Sequence, residues 1–216
     1  DGSADLFLDE AKVSPKLRKH LGNTVTVRPL SEIDEGLGEL SGKTVSLDPD
    51  LASAWFFDTV KAAGGTIVRQ RDPVALPRAC KNEAEIKGTT AAHIRDGVAV
   101  TRFLHWLDTE AQSGKVTEIE AAICLENFRD EYDSLKDLSF PSISGAVEHG
   151  ALPHYTVSEA SNRTLERGSL YLIDSGGQYP DGTTDITRTV PIGEPTADMI
   201  RHYTLVLKGH IALAAV

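Results

Sequence analysis

The chain has 216 residues, of which 40% are apolar and 25% charged, a composition typical of a soluble globular protein with one or two domains. Its formal net charge of −10 argues against nucleic acid as a partner. No apolar run of about 18 residues and no signal-peptide pattern occurs, so we expect no membrane partner. The two cysteines, Cys80 and Cys124, form no CxxC motif, which fits a reducing compartment.

Strand and helix signals alternate through residues 1–74. Strands are predicted at residues 6–8, 25–27, 43–48 and 66–68, and helices after Ser14 and Pro15, after Ser31, and over residues 51–63. This alternation predicts a small α/β domain with a largely parallel sheet. The segment 72–77 contains two prolines and interrupts both periodicities, so it predicts a boundary between domains 1–74 and 75–216.

Helix signals followed by strand signals fill residues 75–216. Two capping boxes predict helix starts, Asn82 with Glu85 and Thr117 with Glu120. Beyond Pro141 the pattern changes to β, and Thr196 caps a last helix in which the chain stops. Helices followed by antiparallel hairpins are typical of an α+β domain. Because the chain also begins without methionine, we expect it to be a piece of a longer protein.

Two aspartates mark the β region as the candidate site. Asp174 ends an apolar strand pattern, and Asp185 opens a Thr-rich one. The turn signal at residues 179–182 between them predicts a hairpin that brings the two acids within a residue or two of facing each other. Burying unpaired carboxylates is costly, so facing acids predict one divalent cation between them, or two cations bridged by them. The alternative is that they are solvated acids, or acids paired with Arg188.

The histidines give weaker signals by themselves. Taken alone, His154 is better explained as a structural histidine than as a functional one. We expect His149 to be a loop residue, and His202 and His210 to be structural or exposed residues on the last helix. Asp181 has the position of a turn residue.

Several segments together resemble one enzyme family. The run DSGGQYPDGTTDITRT at residues 174–189 closely resembles the first metal-binding segment of the Xaa-Pro aminopeptidases (aminopeptidase P), in the pita-bread metallopeptidase family M24. ALPHY at residues 151–155 is similar to the family's His-Tyr segment. The family's opening catalytic-domain helix resembles KNEAEI and AHIRDGVAVTRFLHWL. The helix after the hairpin in its long, three-domain cytosolic type resembles VLKGHIALA. Residues 1–74 fit the middle domain of that type less specifically.

The resemblance implies a fold and an activity. The fold is the N-terminal half of an α+β pita-bread catalytic domain (creatinase/aminopeptidase-like), preceded by part of a small α/β domain of the creatinase N-terminal type. The activity is release of the N-terminal residue from peptides with Pro at the second position, by a metal-bridging hydroxide. A cytoplasmic homodimer is implied as well.

The resemblance also implies roles for three residues. Asp174 and Asp185 would be metal ligands for two divalent ions, with Mn²⁺ as first choice and Zn²⁺ or Co²⁺ as further candidates. His154 would be both substrate-binding and catalytic. The family takes one further His and two Glu ligands from a later segment, so this chain alone is expected to hold less than half of the active site.

Three alternatives remain open within the same scaffold. Prolidases cut Xaa-Pro dipeptides and share the two aspartates, although the sequence GTTDITRT favours aminopeptidase P. Creatinase-type enzymes lack metals. An inactive peptide-binding module would have lost the ligands, and the presence of Asp174 and Asp185 argues against both of the last two.

Overall fold

A computed structural model describes residues 2–131 and 133–216. The chain divides into two compact units, Asp1–Cys80 and Lys81–Val216. The boundary expected between residues 74 and 75 stays a prediction. Within the described residues, no helix combines the length and the apolar character needed to cross a bilayer.

The first unit alternates short strands and short helices. In chain order these are β1 (Ala4–Phe7), α1 (Pro15–Leu21), β2 (Val25–Arg28), α2 (Ile33–Gly38), β3 (Thr44–Leu47), α3 (Ala54–Ala62), β4 (Thr66–Arg69) and α4 (Ala75–Ala79). Two 3-10 helices, Glu10–Lys12 and Leu30–Glu32, precede α1 and α2.

Local signals in this unit are confirmed where a cap defines them. Ser14 Oγ accepts a hydrogen bond from the Leu17 N–H at 3.1 Å and starts α1 as predicted. The helix expected after Ser31 begins instead at Ile33, after the 3-10 turn. The predicted parallel sheet consists of two separate two-stranded parallel ladders, β1 with β2 and β3 with β4. Periodicity identifies the strands but does not select which of them become neighbours.

The second unit contains longer helices and two antiparallel sheets. Its elements are α5 (Glu83–Thr109), α6 (Glu118–Asp130), β5 (Asp137–Leu138), β6 (Ile143–Ala146), β7 (Ser169–Ser175), β8 (Gly177–Tyr179), β9 (Gly182–Thr183), β10 (Ile186–Ile192) and α7 (Ala197–Ala214), with 3-10 helices at Ala111–Ser113 and Val147–Ala151. Both predicted capping boxes are present, at the starts of α5 and α6, and Thr196 caps α7.

The strand β7 lies at the centre of the larger sheet, in the order β10-β7-β6. Its side chains alternate: Tyr171 and Ile173 are buried, and Leu172 and Asp174 on the opposite face are half-buried. The buried face packs against α5 and α6 in one hydrophobic cluster, which comprises Val100, Phe103, Leu107, Ala111, Ala121, Leu125, Ala146, Leu165, Tyr171, Ile173 and Ile192.

A buried ion pair joins α5 and α6 beneath the β8–β9 hairpin. Arg129 Nε and Nη2 donate to the two carboxylate oxygens of Asp96 at 2.7 and 3.1 Å, and both side chains are fully buried. The Tyr179 hydroxyl donates to the same carboxylate at 2.8 Å. The hairpin rests directly on α5 because Gly88 has no side chain: a Cβ there would come within 2.3 Å of the Asp181 carbonyl oxygen.

Removing the arginine should therefore destabilise the second unit strongly. We expect Arg129→Met to lower the free energy of unfolding by about 3–5 kcal/mol, because Asp96 keeps a buried charge without its cation. Urea unfolding of this unit is followed by the fluorescence of Trp106. A Trp55→Phe background removes the fluorescence of the other tryptophan, which lies on α3. Lys87→Met, which breaks an exposed pair with Glu83, is the control and should change little. Equal losses from both substitutions would contradict the prediction.

Candidate metal centre

The sheet register brings the predicted acids together. Asp174 on β7 pairs with Ile143 on β6 and with Thr187 on β10. Asp185 lies two residues before Thr187, so the two acids are offset as expected from the sequence. The connection between β7 and β10 is more elaborate than one hairpin, because β8 and β9 form their own turn and pair with β5.

One cavity contains all three predicted site residues. Its volume is about 340 Å³, and it is lined by Phe140, Pro141, Ile143, His154, Thr156, Asp174 and Asp185. A second cavity of about 360 Å³, between β10 and α7, has no acid and no histidine in its lining. The first cavity is therefore the candidate site.

Asp174 has an unusual electrostatic situation. Its Oδ1 is buried and has no hydrogen-bond partner. In the described part of the chain no ion pair involves Asp174 or Asp185, and Arg188, expected as an alternative partner, instead donates to the Thr187 carbonyl at 2.7 Å. A buried carboxylate oxygen without a donor is costly. A divalent cation in the cavity would remove that cost, so the residues fit the metal that the sequence predicts.

The two aspartates supply only part of a coordination sphere. Among the described residues, no group of three or more His, Cys, Asp or Glu side chains could hold a metal ion. Carboxylate oxygens suit harder ions such as Mn²⁺.

His154 reaches the cavity from a strained turn. The Tyr155 N–H donates to the Leu152 carbonyl at 3.2 Å, which closes a four-residue turn with Pro153 and His154 in the middle. His154 has φ +55°, as a type II turn requires at its third residue, although a non-glycine residue there costs of order 1 kcal/mol or more. The side chain is exposed and lines the cavity beside Asp174.

Two glycines that lie close together allow the chain after β6 to fold back over the sheet. Gly145 lies opposite Leu172 on the open face of β7. A Cβ on Gly145 would come within 2.7 Å of the Gly150 nitrogen, so any side chain would push the 3-10 helix away. The absence of that side chain lets the segment from Val147 to His154 cover the face that bears Asp174.

Sequence reasoning missed Glu118. Its carboxylate is fully buried and bonds four groups of the segment that bears His154. His149, expected to be a loop residue, lies in the 3-10 helix and bonds Glu118 at 2.9 Å. No local signal distinguishes Glu118 from the capping Glu120 two residues later. His202 and His210 are exposed on α7, as expected.

The tyrosine next to His154 is a hydrogen-bond donor at neutral pH. Its hydroxyl lies 3.2 Å from Glu118 Oε2. Burial, as the largest cause, raises the pKa of Tyr155, and the Glu118 carboxylate acts in the same direction. The phenol therefore stays protonated and can donate to the carboxylate.

Comparison with known proteins identifies the family. The model of metallopeptidase family M24 matches residues 87–216, and that of the creatinase/prolidase N-terminal domain matches residues 1–85. The chain belongs to metallopeptidase family M24. The expected fold, a pita-bread domain preceded by a creatinase N-terminal domain, is confirmed.

Related M24 proteins carry aminopeptidase names. A probable Xaa-Pro aminopeptidase P of Aspergillus clavatus is 40% identical over 98% of this chain and 34% of its own length. Xaa-Pro aminopeptidase 1 of Dictyostelium discoideum is 38% identical over 97% of this chain and 34% of its own length. The chain thus spans about a third of the length of these relatives.

Solved structures give the same picture. The X-prolyl aminopeptidase of Caenorhabditis elegans, described as a cytosolic enzyme with a di-nuclear active site, superimposes with a TM-score of 0.83 at 35% identity, covering 96% of this chain and 35% of that one. The Pyrococcus furiosus prolidase has a TM-score of 0.70 at 23% identity, covering 94% and 57%, and shows likeness of fold alone.

The unpartnered oxygen of Asp174 gives the metal site a two-part test. We expect Asp174→Asn to weaken Mn²⁺ binding by at least ~10-fold in calorimetric titration, because a ligand is lost. Without divalent ions the same variant should unfold at higher urea than the parent, because a neutral amide is less costly to bury. Asp181→Asn is the control, since Asp181 pairs with Arg95 outside the cavity. Unchanged Mn²⁺ affinity in Asp174→Asn would rule out Asp174 as a ligand.

Proposed function

We propose that the protein containing this chain is a metal-dependent aminopeptidase that releases the N-terminal residue from peptides with Pro at the second position. The observation that carries the proposal is the cavity in which Asp174, with its unpartnered buried oxygen, lies with Asp185 and His154. Membership of family M24 and the names of the relatives support the same reaction.

Asp174 and Asp185 are the proposed ligands of two divalent ions. The di-nuclear active site of the nematode enzyme supports the number, and the all-carboxylate donor set of this chain supports Mn²⁺, with Zn²⁺ or Co²⁺ as further candidates. When bound, such ions activate water at neutral pH and polarise the substrate carbonyl.

His154 is the proposed substrate-binding and catalytic histidine. It is exposed at the rim of the cavity and held by a closed turn, so a peptide can reach its ring. From this position it donates a hydrogen bond to the oxygen on which negative charge develops as the peptide bond is attacked.

Location, assembly and domain boundary belong to the same proposal. The description of the nematode enzyme as cytosolic supports a cytoplasmic protein. The homodimer rests on the family resemblance alone, and the boundary between residues 74 and 75 rests on the sequence pattern.

Peptide hydrolysis tests the proposal. We expect Mn²⁺-dependent cleavage of the first bond of an Xaa-Pro-Xaa tripeptide, a loss of more than ~100-fold in kcat/KM in Asp185→Ala, and parental rates in Asp181→Asn. Faster cleavage of an Xaa-Pro dipeptide than of the tripeptide would indicate a prolidase. Binding of the tripeptide without cleavage, in Mn²⁺-loaded material, would indicate a peptide-binding module.

The intact mass of the assayed material completes that test. Two carboxylates leave most coordination positions of two cations unfilled, so we expect no hydrolysis from a species of 23.3 kDa alone. Activity should accompany a longer polypeptide or a second chain that co-purifies. Hydrolysis by the 23.3 kDa species would show that the residues of this chain suffice.

A further inference from the structure

The carboxylate of Glu118 is buried among groups that come from one segment. Glu118 is the first residue of α6 and is fully buried. Its Oε1 accepts from the Ala146 N–H at 2.7 Å and bonds His149 Nδ1 at 2.9 Å. These two contacts fix the start and the middle of the 3-10 helix that leads to His154.

The second oxygen holds the other side of the same segment. Oε2 accepts from the Tyr155 hydroxyl at 3.2 Å and from the Arg163 N–H at 3.3 Å. Tyr155 directly follows His154, and its ring stacks on His149 with centroids 4.4 Å apart. The carboxylate thus binds the segment on both sides of the exposed histidine, at His149 and at Tyr155.

The start of α6 does not need this carboxylate. Thr117 Oγ1 accepts from the Glu120 N–H at 3.3 Å, and Asn162 Oδ1 accepts from the Ile119 N–H at 3.1 Å. Other groups therefore cap the helix, and the Glu118 side chain is directed to the segment 146–163 instead.

Backbone strain indicates which residues the Glu118 carboxylate holds in place. Val147 and His154 both have φ +55°, a region that L residues rarely adopt and that a β-branched residue adopts least readily. Such conformations persist only where surrounding contacts fix them. The bonds of Glu118 are made at Ala146, His149 and Tyr155, on both sides of the two strained residues.

We propose that Glu118 is a positioning residue that fixes the segment 146–155 so that His154 lines the cavity beside Asp174. The proposal rests on the proposed role of His154 and adds to it the group that sets its place. Glu118 itself touches neither the cavity nor the acids.

Glu118→Gln separates this role from simple packing, because it preserves shape. A glutamine presents one oxygen and one NH₂ group. Whichever way it turns, the NH₂ meets a backbone N–H, either that of Ala146 or that of Arg163, which is then left without its acceptor. The loss of a buried acceptor changes a local opening equilibrium by about tenfold.

Hydrogen exchange measured by mass spectrometry on the full chain is the primary test. In Glu118→Gln we expect exchange over residues 146–163 to rise by about tenfold, with exchange over residues 99–107 of α5 unchanged. Glu126→Gln is the matched control, since Glu126 is an exposed glutamate of the same helix, and it should match the parent throughout. Unchanged exchange over residues 146–163 would overturn the proposal. An equal rise in α5 would also overturn it, because that is general destabilisation.

A spectroscopic readout follows His154 itself. Mn²⁺ is paramagnetic, so in the parent it should broaden the His154 ring resonances in ¹H–¹³C spectra. In Glu118→Gln we expect at least threefold less broadening at equal Mn²⁺ occupancy, because the ring leaves its place beside Asp174. Equal broadening in parent and variant would contradict a positioning role. Absence of broadening in the parent would refute the proposed metal site, and the exchange result alone then decides the role of Glu118.

Tyr155→Phe is the second variant, for the case in which Glu118→Gln does not fold. It removes one donor to the carboxylate, together with the bond between the hydroxyl and Ser161 Oγ at 3.0 Å, and keeps the stacked ring. We expect a smaller rise in exchange, about threefold, confined to residues 152–157. No change there would contradict the proposal independently of Glu118→Gln.

Discussion

The alternation of side chains along β7 is the constraint that joins the core to the candidate site. Tyr171 and Ile173 are buried against α5 and α6, so Asp174 has to lie on the opposite face. A shift of one residue would bury Asp174 in an apolar cluster and expose Ile173, at a cost of several kcal/mol. Hydrophobic packing thereby fixes the register, and the register fixes which residues of β6 and β10 flank Asp174. The core thus sets the place of Asp174, and the turn that bears His154 completes the cavity beside it.

Three acids with buried carboxylate atoms show how differently the second unit treats negative charge. The Asp96 carboxylate is hydrogen-bonded to Arg129 and a tyrosine hydroxyl. The Glu118 carboxylate is hydrogen-bonded to backbone N–H groups, a histidine and a hydroxyl. Asp174 keeps one buried oxygen with no donor at all. The other buried atoms without a partner, among the described residues, are donors of guanidinium groups or a hydroxyl, Arg95 Nε, Arg129 Nη1, Arg163 Nε and Ser134 Oγ. A fold that satisfies two buried acids in full has the means to satisfy a third, so the exception points to a cation.

Sequence reasoning succeeded where the physical cause is local. Capping boxes involve residues three apart, and the Asp174–Asp185 approach follows from one connection, so both could be read from spacing. It failed where the cause is distant in sequence. Glu118 acts on partners 28 to 45 residues away, and only the folded chain brings them together. The alternative pairing of an acid with Arg188 is not formed, and the Arg188 guanidinium donates to the Thr187 carbonyl instead.

Two strained residues and one unsatisfied carboxylate oxygen of the second unit lie on one face of the same sheet. His154 and Val147 have strained backbones, and Asp174 has an unsatisfied oxygen, all on the open face of the same sheet. On the other face, the core positions of β7 follow every local rule of burial and alternation. Strained residues persist only where surrounding contacts fix them, and they cluster at functional sites. Strained backbones and an unsatisfied carboxylate oxygen that lie together are best explained by one shared requirement. That requirement is to hold the Asp174 carboxylate and the His154 ring beside the same cavity.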